Sequence, residues 1–158
     1  MTKIIKYRDW EFETDFDFNK NSYANFIESG ADECSCSYCK NFVANRENAF
    51  PEEVKSLFVQ LGINYQKEAE VCECGRKNNL CMYWGWFHFK GKTIKGKDCS
   101  VPLIQGGYTL DLEEITDNFS IGFSSSNTKS PSLFKINEGL IQIEFFTNLD
   151  WIIKEKYE

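Results

Sequence analysis

The chain has one histidine in 158 residues, three arginines against 15 lysines, and no apolar run approaching the length of a membrane span. A lone His88 excludes any metal site built on several imidazoles and leaves one conventional general base near neutrality. Scarce arginine removes the side chain that best forks onto phosphate or carboxylate. With 18 basic and 24 acidic residues the net charge is −6, so long-range attraction to nucleic acid or anionic lipid is not expected. A spanning helix needs roughly 18 apolar residues in succession. The opening MTKIIKYRDWEFE also lacks the apolar stretch of a secretory signal, which gives a cytoplasmic reading with no membrane and no nucleic-acid partner.

What is present is apolar and aromatic. Hydrophobic residues make up 42% of the chain, including 14 Phe, 7 Tyr and 4 Trp, a composition that excludes disorder. Residues 1–158 carry no internal repeat, heptad or dividing linker and read as one globular domain.

The pattern along the chain changes from helical to alternating. Trp10, Phe12, Phe16 and Phe18 share one parity, as in a strand. NKNSYANFIESGAD then reads as a short helix stopped by Gly30. In FPEEVKSLFVQLGI, Pro51 and two glutamates suit a helix start, Val54, Leu57, Phe58 and Leu61 form one stripe, and Gly62 ends it. From Ala69 onward strands dominate, the lysines of KGKTIKGKD read as a solvated hairpin tip, and residues 124–132 read as a mobile polar loop. The resulting fold class is α+β: a mostly antiparallel sheet with two or three helices from the N-terminal half packed on one face.

Seven cysteines are an odd number, and a reducing compartment keeps thiols free, so a disulfide network is not expected. Cys36-x-x-Cys39 has the spacing that lets two thiolates of one turn reach a single zinc ion, and Cys72-x-Cys74 is the second half of a candidate four-cysteine site. Cys34 and Cys81 are available replacements. Closure by four sulfurs would make the zinc structural, and no other cofactor is expected. The competing reading is that these thiols are small hydrophobes of the core.

Two further features are open to more than one reading. Trp84, Trp86 and His88 alternate with Gly85, Phe87 and Phe89, so one strand offers an indole and imidazole face to stack on a base, a sugar or a protein partner's surface, or else both faces are buried, one under the helices and the other under loops or a second copy of the chain as in a homo-oligomer. Gly85 within that strand leaves room for a ring or backbone from elsewhere. A Cys39 or Cys81 nucleophile with His88 and Asp98 would amount to thiol catalysis, but linear spacing gives it no support. No complete catalytic set is present. The leading functional reading is a non-enzymatic protein acting through protein contacts, with a zinc-stabilised module and a cysteine-dependent enzyme as alternatives.

Taken in order, CSYCKNF, FPEEVKSLFVQLGI, KEAEVCECG, MYWGWFHFKGK and IEFFTNLDW resemble an uncharacterised family of small bacterial proteins. That family shows a Cys-x-x-Cys-x-Asn segment, a Pro-started helix ending Leu-Gly-Ile, a Lys-x-Ala-Glu step and a Gly-Trp-Phe-His-Phe strand. The resemblance runs from about residue 36 onward and implies no activity. It departs at Cys72 and Cys74, where other residues usually stand, which sets that pair apart from any general ligand set of the family.

Overall fold

The computed structural model describes residues 2–128 and 132–156. Among them are nine strands and five helical segments. Strands β1 (Thr2–Tyr7) and β2 (Trp10–Asp15) are followed by α1 (Phe16–Asn25), α2 (Gly30–Glu33), α3 (Ser37–Ala44), α4 (Arg46–Ala49) and α5 (Glu52–Leu61). The rest is strand: β3 (Glu70–Lys77), β4 (Leu80–Lys95), β5 (Ser100–Pro102), β6 (Tyr108–Leu110), β7 (Glu113–Thr116), β8 (Phe119–Ser124) and β9 (Leu140–Leu149). The α+β class read from the sequence holds, with the helical part divided more finely than two or three helices. No helix among the described residues is long and apolar enough to cross a membrane.

The long strand β4 organises the sheet. One edge pairs with β9 from Cys81 to Lys90. The other edge is shared: Leu80–Trp86 pairs with β3, and Gly91–Lys95 pairs with β2. All pairings are antiparallel, and the main path runs β1-β2-β4-β9-β8-β7. Between β3 and β2 the edge of β4 would be left with bare backbone groups, which cost free energy when buried. Two side chains of α1 fill the gap: the Tyr23 hydroxyl donates to the His88 carbonyl at 2.6 Å, and Asn19 Oδ1 accepts from the Lys90 amide at 2.7 Å. Asn19 Nδ2 also donates to the Leu61 carbonyl at 2.9 Å, tying the end of α5 to the same point.

The helices cover the face of β4 that carries Tyr83, Gly85, Phe87 and Phe89. Val54, Leu57, Phe58 and Leu61 of α5 are buried there, and Gly62 ends the helix at φ 82° as the sequence indicates. Phe50, between α4 and α5, sits at the centre of an aromatic cluster, with its ring 5.2 Å from Phe145 and 5.7 Å from Phe87. Gly85 admits both kinds of neighbour at once: an added Cβ would lie 2.6 Å from the Glu70 carbonyl oxygen and 2.6 Å from the Phe145 ring.

Three local readings change. The alternation beginning at Trp10 stops at Asp15, whose carboxylate accepts the Phe18 amide at 3.2 Å and starts α1, so Phe16 and Phe18 are helical. Gly30 starts α2 instead of stopping a helix, because its backbone lies against Ala69 too closely for any Cβ. Lys92 and Lys95 are strand residues opposite Glu13 and Glu11 on β2, not a hairpin tip, since β4 continues to Lys95. Of the polar stretch 124–132, residues 129–131 lie outside the described residues.

Gly85→Ala should destabilise the protein by about 1–3 kcal/mol, the usual cost of overpacking a filled core. Urea unfolding checks this, and an unchanged midpoint would mean that the sheet can part there without cost.

Candidate metal centre

The segment carrying the first three cysteines is fixed by a buried charge. Glu68 enters β3 with its side chain fully buried, and Arg46 of α4 reaches it at 2.8 and 3.1 Å. The same guanidinium donates to the Ser29 hydroxyl at 2.6 Å and to Asp32 at 3.3 Å. Ser29 and Asp32 form the reciprocal capping box of α2, so the cation grips the start of this helix directly. Burial pushes the Glu68 carboxyl up, against the opposing pull of Arg46. The Gly30 amide donates to the Glu68 carbonyl at 3.0 Å, locking α2 against the entrance to β3.

From there the chain makes a sharp approach into α3. Cys34 caps the end of α2, and Cys36 caps the start of α3, its sulfur accepting from the Cys39 amide at 3.4 Å. The Sγ atoms of Cys34 and Cys36 are 3.2 Å apart, and those of Cys34, Cys36 and Cys39 all lie within 4.8 Å of one another. Helix α3 is held in turn by Asn41, which donates to the Tyr83 hydroxyl at 3.2 Å and to the Asp150 carbonyl at 3.0 Å, while its Oδ1 accepts from the Ile152 amide at 2.8 Å. The Asn of CSYCKNF thus anchors the helix that carries Cys39.

The three sulfurs are not equivalent. The Cys34 thiol is pulled below its ordinary range by the backbone amide of Cys36 and by the thiols of Cys39 and Cys36, all of which favour the anion. Cys39 is pushed up by burial and then by its sulfur neighbours. Cys34 is exposed, Cys36 half-buried and Cys39 buried, so the group opens to solvent on the Cys34 side. Three soft donors near one helix N-terminus lie close enough together to be compatible with a shared thiophilic cation.

The structure brings Cys36 and Cys39 together, with Cys34 as the third member. It does not bring Cys72 and Cys74 to them. Cys72 is registered with Trp84, and its neighbour Val71 with Gly85, so strand parity sends Cys72 to the face of the sheet away from α5 and its core. Cys74 lies beside Trp84 and Phe146 on that second face, in the wall of a cleft of about 500 Å³ under β6 and Leu112. Burial raises both thiols. Cys34, a replacement ligand in the sequence reading, is a full member: Cys-x-Cys running into Cys-x-x-Cys places three sulfurs at one helix start without any long-range pairing of cysteines.

Trp84, Trp86 and His88 do share one face, but that face is largely covered. Trp86 is 6% exposed and His88 1%, while Trp84 is half-buried. These side chains are therefore not an open contact surface. Trp84 and His88 belong to a buried polar chain: Trp84 Nε1 donates to Glu144 at 2.6 Å, Gln142 Nε2 donates to the other Glu144 oxygen at 2.7 Å, and His88 Nε2 meets Gln142 Oε1 at 2.9 Å. Because the amide nitrogen of Gln142 is committed to Glu144, its oxygen requires a donor, which assigns the proton of neutral His88 to Nε2. Burial lowers the His88 pKa to about 4 and raises that of Glu144.

The parts of a thiol–histidine set are likewise apart. Cys39 and Cys81 lie on the helix side of the sheet and His88 on the other, with Cys81 accepting from Arg76 at 3.2 Å. Asp98 takes the amides of Ser100, Ser125 and Ser126. Comparison with family models, with curated proteins and with solved structures finds no match to this chain. The functional reading therefore stands on the side chains themselves.

His88 gives a signed pH dependence. Below its ordinary pKa of 6.5 the unfolded chain binds a proton that the folded protein refuses until about pH 4. The stability this group contributes is whole above about pH 6.5 and is lost as pH falls toward 4, on the order of 3 kcal/mol in all. Glu68 and Glu144, both pushed up, act in the opposite sense and are common to wild type and variant. His88→Gln should therefore flatten the fall in stability between pH 6.5 and 4 relative to wild type, as read by urea midpoints; parallel curves would refute the assignment.

Proposed function

We propose that this chain is a metal-binding module whose centre is Cys34, Cys36 and Cys39, and that Zn²⁺ is its ion. The observation that carries the reading is the convergence of three sulfurs within 4.8 Å of one another at the start of α3. Zinc accepts thiolates without redox chemistry, and its binding would join the end of α2 to α3 in the way structural zinc joins short elements. The soft donor set and the lowered Cys34 thiol both favour such a cation over magnesium or calcium, which seek oxygen.

Protein purified without added metal should contain close to one equivalent of zinc by elemental analysis. Cys34→Ser, Cys36→Ser and Cys39→Ser should each lose most of it, while Cys72→Ser and Cys74→Ser retain it. Less than about half an equivalent in the wild type rejects the reading. Loss in the Cys72 and Cys74 variants would restore the four-cysteine set.

A second reading, action through protein contacts, is favoured by the β5–β6 hairpin, where Val101, Leu103, Ile104 and Tyr108 stand exposed and whose two strands, among the described residues, pair only with each other. It moves the contact surface away from Trp84, Trp86 and His88. Self-association through this hairpin would make the wild type sediment as a dimer and Ile104→Glu as a monomer. A monomeric wild type removes the second copy from this reading.

A further inference from the structure

We infer that the metal centre is completed from outside the chain: its fourth position, on the Cys34 side, takes the thiolate of another molecule. This rests on the zinc reading of the same three cysteines. Tetrahedral zinc needs four donors, and a structural site supplies all four from the protein. Among the described residues, Cys34, Cys36 and Cys39 form a group of three with no fourth His, Cys, Asp or Glu.

The other cysteines, His88 and Glu70 stand outside the group of three sulfurs. Cys72, Cys74 and His88 lie across the sheet. Cys99 packs over Gly122, which is registered with Glu144 on that same far face. Cys81 is fully buried and accepts from Arg76. Glu70 is the carboxylate whose charge is felt at Cys34, yet it stands outside the sulfur group and accepts the Val71 amide at 3.1 Å.

The gradient of exposure decides where a fourth donor can approach. Cys39 closes the inner side, and exposed Cys34 leaves the outer side to solvent. Three thiolates make a soft site, and a soft fourth donor suits it better than water or carboxylate. Two features disperse the added charge: the Cys39 amide donates to the Cys36 sulfur, and the α3 N-terminus carries positive potential. The step is a ligand exchange. One metal–sulfur bond forms, the metal–water bond breaks, the incoming thiol gives its proton to solvent, and no electron is transferred.

Cobalt(II) in place of zinc makes the ligand count visible. Cobalt-loaded protein, kept anaerobic, is titrated with glutathione while the sulfur-to-cobalt charge-transfer band and the protein-bound metal are followed. The band should grow by about one third as three thiolates become four, and saturate at one glutathione per ion with the metal retained. An unchanged band with the metal retained overturns the inference, because the chain then closes its own site; Glu70→Gln and Cys72→Ser would identify the donor. Removal of cobalt without a ternary spectrum overturns it as well, by making glutathione a competitor. Failure to take up cobalt or zinc at all is a separate result, and it sinks the zinc reading beneath it.

Discussion

Everything in this fold hangs on the alternation of β4. Its sixteen residues supply one side chain to each face in turn, and they are long enough to serve β9 on one edge and both β3 and β2 on the other. Tyr83, Gly85, Phe87 and Phe89 therefore meet the helices, and Trp84, Trp86 and His88 meet the far layer. A slip of one residue would exchange the two sets, burying an imidazole and two indoles among phenylalanines. Gly85 guards against that slip, since the Phe145 ring and the Glu70 carbonyl fit only where a side chain is missing.

The two faces handle buried charge differently. On the helix side Glu68 is paired with Arg46, which also holds Ser29 and Asp32. Burying such a pair gains little by itself, but removing one partner costs about 3–5 kcal/mol because the other charge is stranded. The pair thus acts as a constraint on position: α2 can sit in one place only, and the cysteines that follow inherit that place. On the far side Glu144 accepts from two N–H donors, Trp84 Nε1 and Gln142 Nε2, and burial raises its pKa.

The parts of this that were legible in the sequence are those decided within one element. The stripe of α5, its Gly62 stop and the alternation of β4 follow from local period and steric rules. The opening strand was legible up to Phe12, where the parity of Trp10 and Phe12 holds, but the capping carboxylate of Asp15 ends it before Phe16. The role of Gly30 was hidden because it depends on Ala69, far along the chain. So was the burial of Trp86 and His88: parity says that they share a face, and only the packing of distant segments says whether water reaches it. Cys72 and Cys74 were grouped with Cys36 and Cys39 by spacing, a one-dimensional measure that cannot tell which side of a sheet a thiol takes.

The distribution of thiol chemistry follows from that division. Burial holds the proton more tightly on Cys81, Cys99, Cys72 and Cys74, with nearby carboxylates adding to it. Cys34 is shifted the other way: it is exposed, and the Cys36 amide together with the Cys39 and Cys36 thiols favours its anion. Its anion is favoured by donors alone: an amide at a helix start and two S–H groups. Those same S–H groups would themselves be lost to a cation, which would replace two shared protons with one ion held by three sulfurs. The geometry that lowers one thiol is also the one that gathers the three sulfurs of Cys-x-Cys-x-x-Cys, on a segment whose place Arg46, Glu68 and Asn41 fix against the sheet.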